Sequence, residues 1–166
     1  MTGFKHPSPS GTERQLLTEY LDWYRAAILR KMEGASDETL RKHIVASETT
    51  LLGIVKHLAW VEISWFQIVF AGRQVDDPWT EGDPDSDWRI KASETTEEIL
   101  QLYRDACAES RAIVDGAADL DALSEGEAGD NKHNLRRIMI HMMEETARHA
   151  GHADILRESI DGKTGE

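Results

Sequence analysis

Apolar residues recur at helical spacing along most of the chain. Between Thr12 and Glu33, residues Leu16, Leu17, Tyr20, Leu21, Tyr24, Ala27, Ile28 and Met32 fall on one face of a helix. Thr12 is placed to cap it with Gln15 three residues on, and Gly34 is a natural stop. Ser36 to Glu38 reads as the start of a short helical turn running toward Lys42. A second long helix is predicted from Ser47 to Ala71, with Leu51, Ile54, Val55, Leu58, Val61, Ile63, Trp65, Phe66, Ile68, Val69 and Phe70 nearly continuous toward its end. A helix apolar on almost every side belongs in a core.

The pattern then breaks. From Gly72 to Ser93 the chain is acidic and rich in turn residues, with Asp76, Asp77, Pro78, Glu81, Asp83, Pro84, Asp85 and Asp87 around Trp79 and Trp88. Loops this long are functional or disordered as a rule, and the two tryptophans argue that part of this one packs back on the body. Ser93, Thr96 and Glu97 open a third predicted helix to Asp115, with Ile99, Leu102, Tyr103, Ala106, Ile113 and Val114 inward. A Gly- and Asp-rich connection from Gly116 to Asn131 leads to a fourth, from His133 to Ile160, closed by Gly162. Residues 1–10, with Pro7 and Pro9, read as a disordered tail. Four long helices without a strand pattern predict an all-α fold, an antiparallel four-helix bundle, with residues 11–166 forming a single domain.

Composition narrows the function. The 166 residues include 31 acidic against 19 basic ones, a net charge of −12, and no basic stripe. A phosphate backbone needs clustered Lys and Arg, so no nucleic-acid partner is expected. No apolar run approaches a membrane span. The opening MTGFKHPSPSGTE lacks the order of a signal peptide, and the single cysteine, Cys107, suits a reducing compartment. The expected location is the cytoplasm.

The chemistry concentrates in HMMEETARHAGH on the fourth helix. At about 100° per residue, His141, Glu145, His149 and His152 lie at roughly 0°, 40°, 80° and 20°, one narrow stripe at the edge of the apolar arc. Glu145 and His149, four apart, place two donor atoms on one face, as helix-borne zinc motifs do. A third donor must come from another helix. His57 is the candidate, because it lies in the most apolar stretch, GIVKHLAWVE, with Gly53 one turn earlier leaving room for a neighbour or ligand. Two imidazoles and one carboxylate leave coordination positions open, as in a catalytic metal site. The same stripe is also compatible with a solvated edge or a hydrogen-bond network.

The segments LLGIVKHLAWVEISWF and ETARHAGHADILRESIDGKTG resemble the two signature segments of the DinB superfamily, specifically its actinobacterial branch, which includes mycothiol-dependent maleylpyruvate isomerase and mycothiol S-transferases. That resemblance implies a four-helix bundle holding one divalent metal ion on His57, Glu145 and His149. Glu145 stands where many relatives carry histidine. Zinc is the expected metal, with nickel or iron compatible with the donors. His152 is then the expected catalytic residue, managing protons beside the ion, and His141 stands behind the ligands. Gly151 is the glycine of the family's terminal motif and implies close helix packing.

The other residues have plainer readings. His6, His43 and His133 read as surface residues, Cys107 as packing, and Trp60 and Trp65 as core, with Trp60 close enough to His57 to wall a site. Arg148 is placed to pair with Asp154 or Glu144, or to bind a substrate carboxylate. The resemblance implies a metal-dependent thiol transferase or thiol-dependent isomerase, acting on a small-molecule thiol such as mycothiol and an electrophile that enters from the loop side beside Trp79. It also suggests a homodimer. The alternative is a non-enzymatic metal-binding stress-response protein.

Overall fold

A computed structural model describes residues 6–164. Helix α1 spans Glu13–Met32, and the Thr12 hydroxyl accepts from the Gln15 N–H at 3.2 Å, as the sequence predicts. A five-residue helix, α2, covers Asp37–Arg41 behind the cap Ser36. Helix α3 spans Leu51–Glu62 and continues as a π-helical segment over Ile63–Phe70. Helix α4 spans Thr96–Gly116 and α5 spans Leu135–Asp161. Among the described residues there is no β-strand, and no helix is long and apolar enough to cross a membrane.

The differences from the predicted bounds lie at caps. Helix α3 starts at Leu51, not near Ser47, because the Thr50 hydroxyl takes the Gly53 N–H at 2.9 Å. Residues 43–50 stay irregular. Helix α4 starts after a capping box of Thr95 and Glu98, two residues past Ser93. Helix α5 is capped by Asn134 and ends at Gly162, whose φ of +75° suits glycine. Of the expected tail, residues 1–5 lie outside the described residues. Ser8 bonds the Glu19 carboxylate through its N–H (2.6 Å) and hydroxyl (3.1 Å), and His6 stacks on Trp23.

Helix directions follow from which ends meet. Arg136 at the start of α5 pairs with Glu13 at the start of α1 (2.7 Å), and Arg157 near the end of α5 donates to the Lys31 and Glu33 carbonyls at the end of α1. These two helices run parallel. Arg14 at the start of α1 donates to the Val114 and Ala117 carbonyls at the end of α4, so α4 runs opposite to α1. One buried cluster joins Ile28 and Met32 of α1, Leu51 to Ala59 of α3, Ile99 and Tyr103 of α4, and Ala153 and Leu156 of α5. The other joins Leu21, Val61, Phe66, Val69, Val114, Leu135 and Ile138. Helices α3 and α4 are therefore a second parallel pair, antiparallel to the first.

This order explains the long acidic loop. A chain leaving Phe70 must travel back about 30 Å to begin α4 beside the start of α3, so the connection crosses the flank of α3. Lys56, itself 3% exposed, pins its far end by donating to the Arg89 carbonyl (2.8 Å) and pairing with Glu94 (2.8 Å). Gly53 permits the approach, because a Cβ there would lie 2.8 Å from the Trp88 carbonyl oxygen.

The π segment was not visible in the sequence. Its last carbonyls, of Val69 and Phe70, accept from the N–H groups of Gly126 and Glu125, each at 2.9 Å. A Cβ on Gly126 would meet the Ile68 carbonyl oxygen at 2.6 Å, so glycine is what lets this loop cap the segment. Where α3 turns into it, Glu62 and Arg25, both buried, form a two-bond ion pair at 2.7 Å.

Candidate metal centre

Three side chains from two antiparallel helices converge midway along the bundle. His57 projects from α3, and Glu145 and His149 from successive turns of α5. His57 Nε2 lies 3.2 Å and His149 Nε2 3.1 Å from the same Glu145 oxygen, Oε1. One ligand atom from each residue lies within 4.8 Å of the others. Glu145 and His149 are 9% and 6% exposed. Zinc bonds of about 2.0 to 2.2 Å to nitrogen and oxygen set tetrahedral donors about 3.3 to 3.5 Å apart, so this donor set fits a divalent ion.

The electrostatics make the same demand. His57 Nδ1 meets the Asp87 carboxylate at 2.6 Å, so that nitrogen is the one to carry a proton. Its Nε2 lone pair then faces a second carboxylate, Glu145, and only a proton or a cation reconciles the two. Burial opposes charge on the ring, but the hydrogen bonds it donates to Asp87 and then to Glu145 override it and raise the His57 pKa. Hydrogen bonds from His149 and then His57 hold the Glu145 carboxyl far below the usual range, against the cost of burial. A site that keeps its carboxylate ionised and calls for positive charge between the rings is suited to a divalent cation.

Asp87 and Trp88 complete the centre. Asp87 is 1% exposed, and its second oxygen, Oδ1, is buried without a hydrogen-bond partner. A carboxylate on the far nitrogen of a histidine is the usual device for orienting a metal-binding ring. Trp88 stacks on His57 with centroids 4.0 Å apart and planes 16° from parallel, and approaches His149 at 5.2 Å. The sequence predicts that the loop tryptophans pack back, and both do, Trp79 edge-on against Trp60 at 6.2 Å. It did not single out Asp87. That residue is one acid among many in the loop, and only its neighbour Trp88 marked it.

Of the stripe on α5, His152 touches His149 on the side of the ring away from Glu145, and His141 turns elsewhere. His152 Nδ1 lies 3.4 Å from His149 Nδ1. His141 instead packs edge-on against Trp65 at 4.7 Å, because the π segment brings that indole over the first turns of α5. His133 is half-buried against the same indole at 5.6 Å, rather than free on the surface as the sequence suggests. Trp60 and Trp65 are each only partly buried, short of the core positions expected. Gly53 leaves room for backbone, not for a ligand. Gly151 is exposed, with nothing within 4 Å of an added Cβ, so it does not serve close packing.

Arg148 pairs with Glu144 and places Nη1 3.1 Å from Glu145 Oε2, the oxygen turned away from both rings. Cys107 is buried, and desolvation followed by the nearby Glu62 charge raises its thiol pKa strongly, so it is no nucleophile. His43 is exposed, as predicted.

No curated protein gives a significant match to the chain. The model of the family described as mycothiol-S-transferase matches residues 16–162 and so spans both site helices and the crossover loop between them. An all-α bundle in which His57 of α3 meets Glu145 and His149 of α5, with a match over nearly its whole length, places this chain in the mycothiol S-transferase family, within the DinB-like superfamily.

Proposed function

We propose that this protein is a zinc-dependent S-transferase that joins mycothiol, or a closely similar low-molecular-weight thiol, to an electrophile, with His57, Glu145 and His149 as the metal ligands. The observation that carries the reading is the convergence of two imidazoles and one carboxylate within 4.8 Å in a chain of this family. A divalent ion held there supplies a Lewis acid that lowers the pKa of a thiol presented to it, making thiolate available near neutral pH.

The protein's own groups prepare that chemistry. Asp87 orients His57 and selects Nε2 as its free nitrogen, and Trp88 shields the ring from water. Arg148 steadies Glu145 from the solvent side. His152, exposed and in contact with His149, accepts the thiol proton and passes it to solvent or the leaving group. The sulfur forms its bond to carbon as the bond to the leaving group breaks with its electron pair.

The test is metal analysis and turnover on the full chain with mycothiol and a reactive model electrophile. Wild type is expected to hold one equivalent of metal and to need it for turnover. His149→Ala is expected to lose both while keeping its helical signal, since the bundle rests on its apolar clusters. Undiminished turnover by metal-free protein would refute the reading.

A further inference from the structure

The site has an apolar neighbour that the transferase reading leaves unused. A cleft of about 290 Å³ lies between the irregular segment before α3 and the last turns of α5, lined by Val45, Ser47, Thr49, His152, Ile155 and Leu156. His152 belongs to both places: its ring touches His149 on one side and walls the cleft on the other. The apolar walls are costly where they stand. Val45 is 46% and Ile155 66% exposed, and Ile44 beside them is 38% exposed. Exposed aliphatic side chains gathered around a concavity mark a ligand or partner site.

We propose that this cleft seats the body of the electrophile, and that the acceptor is a small molecule with an apolar chain or ring next to its reactive carbon. The proposal rests on the transferase reading above. Three features favour this occupant. The cleft volume is at the lower end for ligand pockets, so it takes a small body. Its polar groups besides His152 are two hydroxyls, Ser47 and Thr49, too few to satisfy a polyhydroxylated thiol such as mycothiol. And it shares His152 with the proposed metal centre, because that ring lines the cleft and also touches His149. In the reaction the C–S bond forms as the carbon–halide bond of a bromoacetamide breaks with its pair, releasing bromide, while the thiol proton leaves through His152.

The experiment uses two matched series on the full-length, zinc-loaded chain: N-methyl, N-propyl and N-pentyl bromoacetamide as electrophiles, and the unreactive N-alkyl acetamides as binding probes. With mycothiol as donor, kcat/KM is expected to rise about 2- to 4-fold per methylene. The rise should vanish in Ile155→Trp, which fills the cleft, and persist in Leu123→Trp, a control at an exposed position elsewhere. Binding is read separately from methyl NMR shifts. N-Pentylacetamide is expected to move the Val45, Ile155 and Leu156 methyl signals of wild type but not the Leu156 and Val45 signals of Ile155→Trp.

Turnover with no dependence on chain length would overturn the proposal and leave the transferase reading standing. Cleft shifts without turnover would overturn the transferase reading, and with it the cleft's role as an acceptor site, while leaving the cleft an apolar ligand site. Concentration-dependent dimerisation that protects the Ile155 methyl and excludes the probe would show that a second copy covers this face, and would overturn the proposal.

Discussion

Gly53→Ala adds one methyl group on the side of α3 away from the solvent, and its consequences separate stability from function. In the middle of a helix the change should stabilise by up to about 1 kcal/mol, since glycine is that much poorer than alanine. Here the new carbon would lie 2.8 Å from the Trp88 carbonyl oxygen and 3.0 Å from the Thr50 hydroxyl that caps the helix. The first neighbour is backbone and cannot rotate away. Overpacking of this kind costs about 1 to 3 kcal/mol, so the net loss of stability is expected at about 0 to 3 kcal/mol. The larger effect falls on the site. Relief of the clash moves Trp88 outward and draws Asp87 off His57, whose 2.6 Å hydrogen bond orients the ring. Loss of such an orienting partner lowers metal affinity about 10- to 100-fold. Zinc affinity from competition with a chromophoric chelator, beside urea unfolding of the metal-free protein, gives both numbers. Wild-type zinc affinity in Gly53→Ala would refute the claim that the crossover loop positions His57.

Three further outcomes follow from other contacts. Asp87→Asn keeps the shape of the loop but removes the charge on His57, so zinc affinity by the same competition should fall about 10- to 100-fold with little loss of urea stability. Arg25→Ala leaves Glu62 buried and unpaired and should cost about 3 to 5 kcal/mol in urea unfolding, whereas Arg25→Met with Glu62→Leu should be near neutral. Burial works to raise the Glu94 pKa, but hydrogen bonds from the Lys56 ammonium and the Lys91 N–H outweigh it and hold the carboxyl below its ordinary value. Its depressed folded-state pKa means that this contribution is full above the ordinary glutamate range and is lost as pH falls through the folded value. Glu94→Gln should therefore flatten the acid limb of stability below about pH 4.3 and leave stability near neutral pH less than wild type, as read by thermal unfolding across pH.

Periodicity alone determined that α1, α3, α4 and α5 exist and which faces they bury, because an amphipathic helix carries its burial pattern in the residues three and four apart. The spacing of Glu145 and His149 was legible for the same reason: a helix converts i, i+4 into a shared face without help from the rest of the chain. His57 was legible as a histidine in an apolar stretch, and its match to a family signature selected it. What needed the tertiary structure were relations between segments far apart in sequence. The parallel pairing of α1 with α5 and of α3 with α4 depends on which ends meet, and no local pattern records it. That pairing sends the acidic loop across α3 and puts Asp87 against His57, 30 residues earlier. The separation of His141 from His152 is decided in the same way, since a helical wheel treats them as equals and only the indole of Trp65 captures one of them. The end of the π segment is likewise capped from afar, by the N–H groups of Glu125 and Gly126. Local sequence sets what each helix offers, and packing decides which offers meet, because the free energy of a buried contact belongs to both partners and exists only once they are brought together.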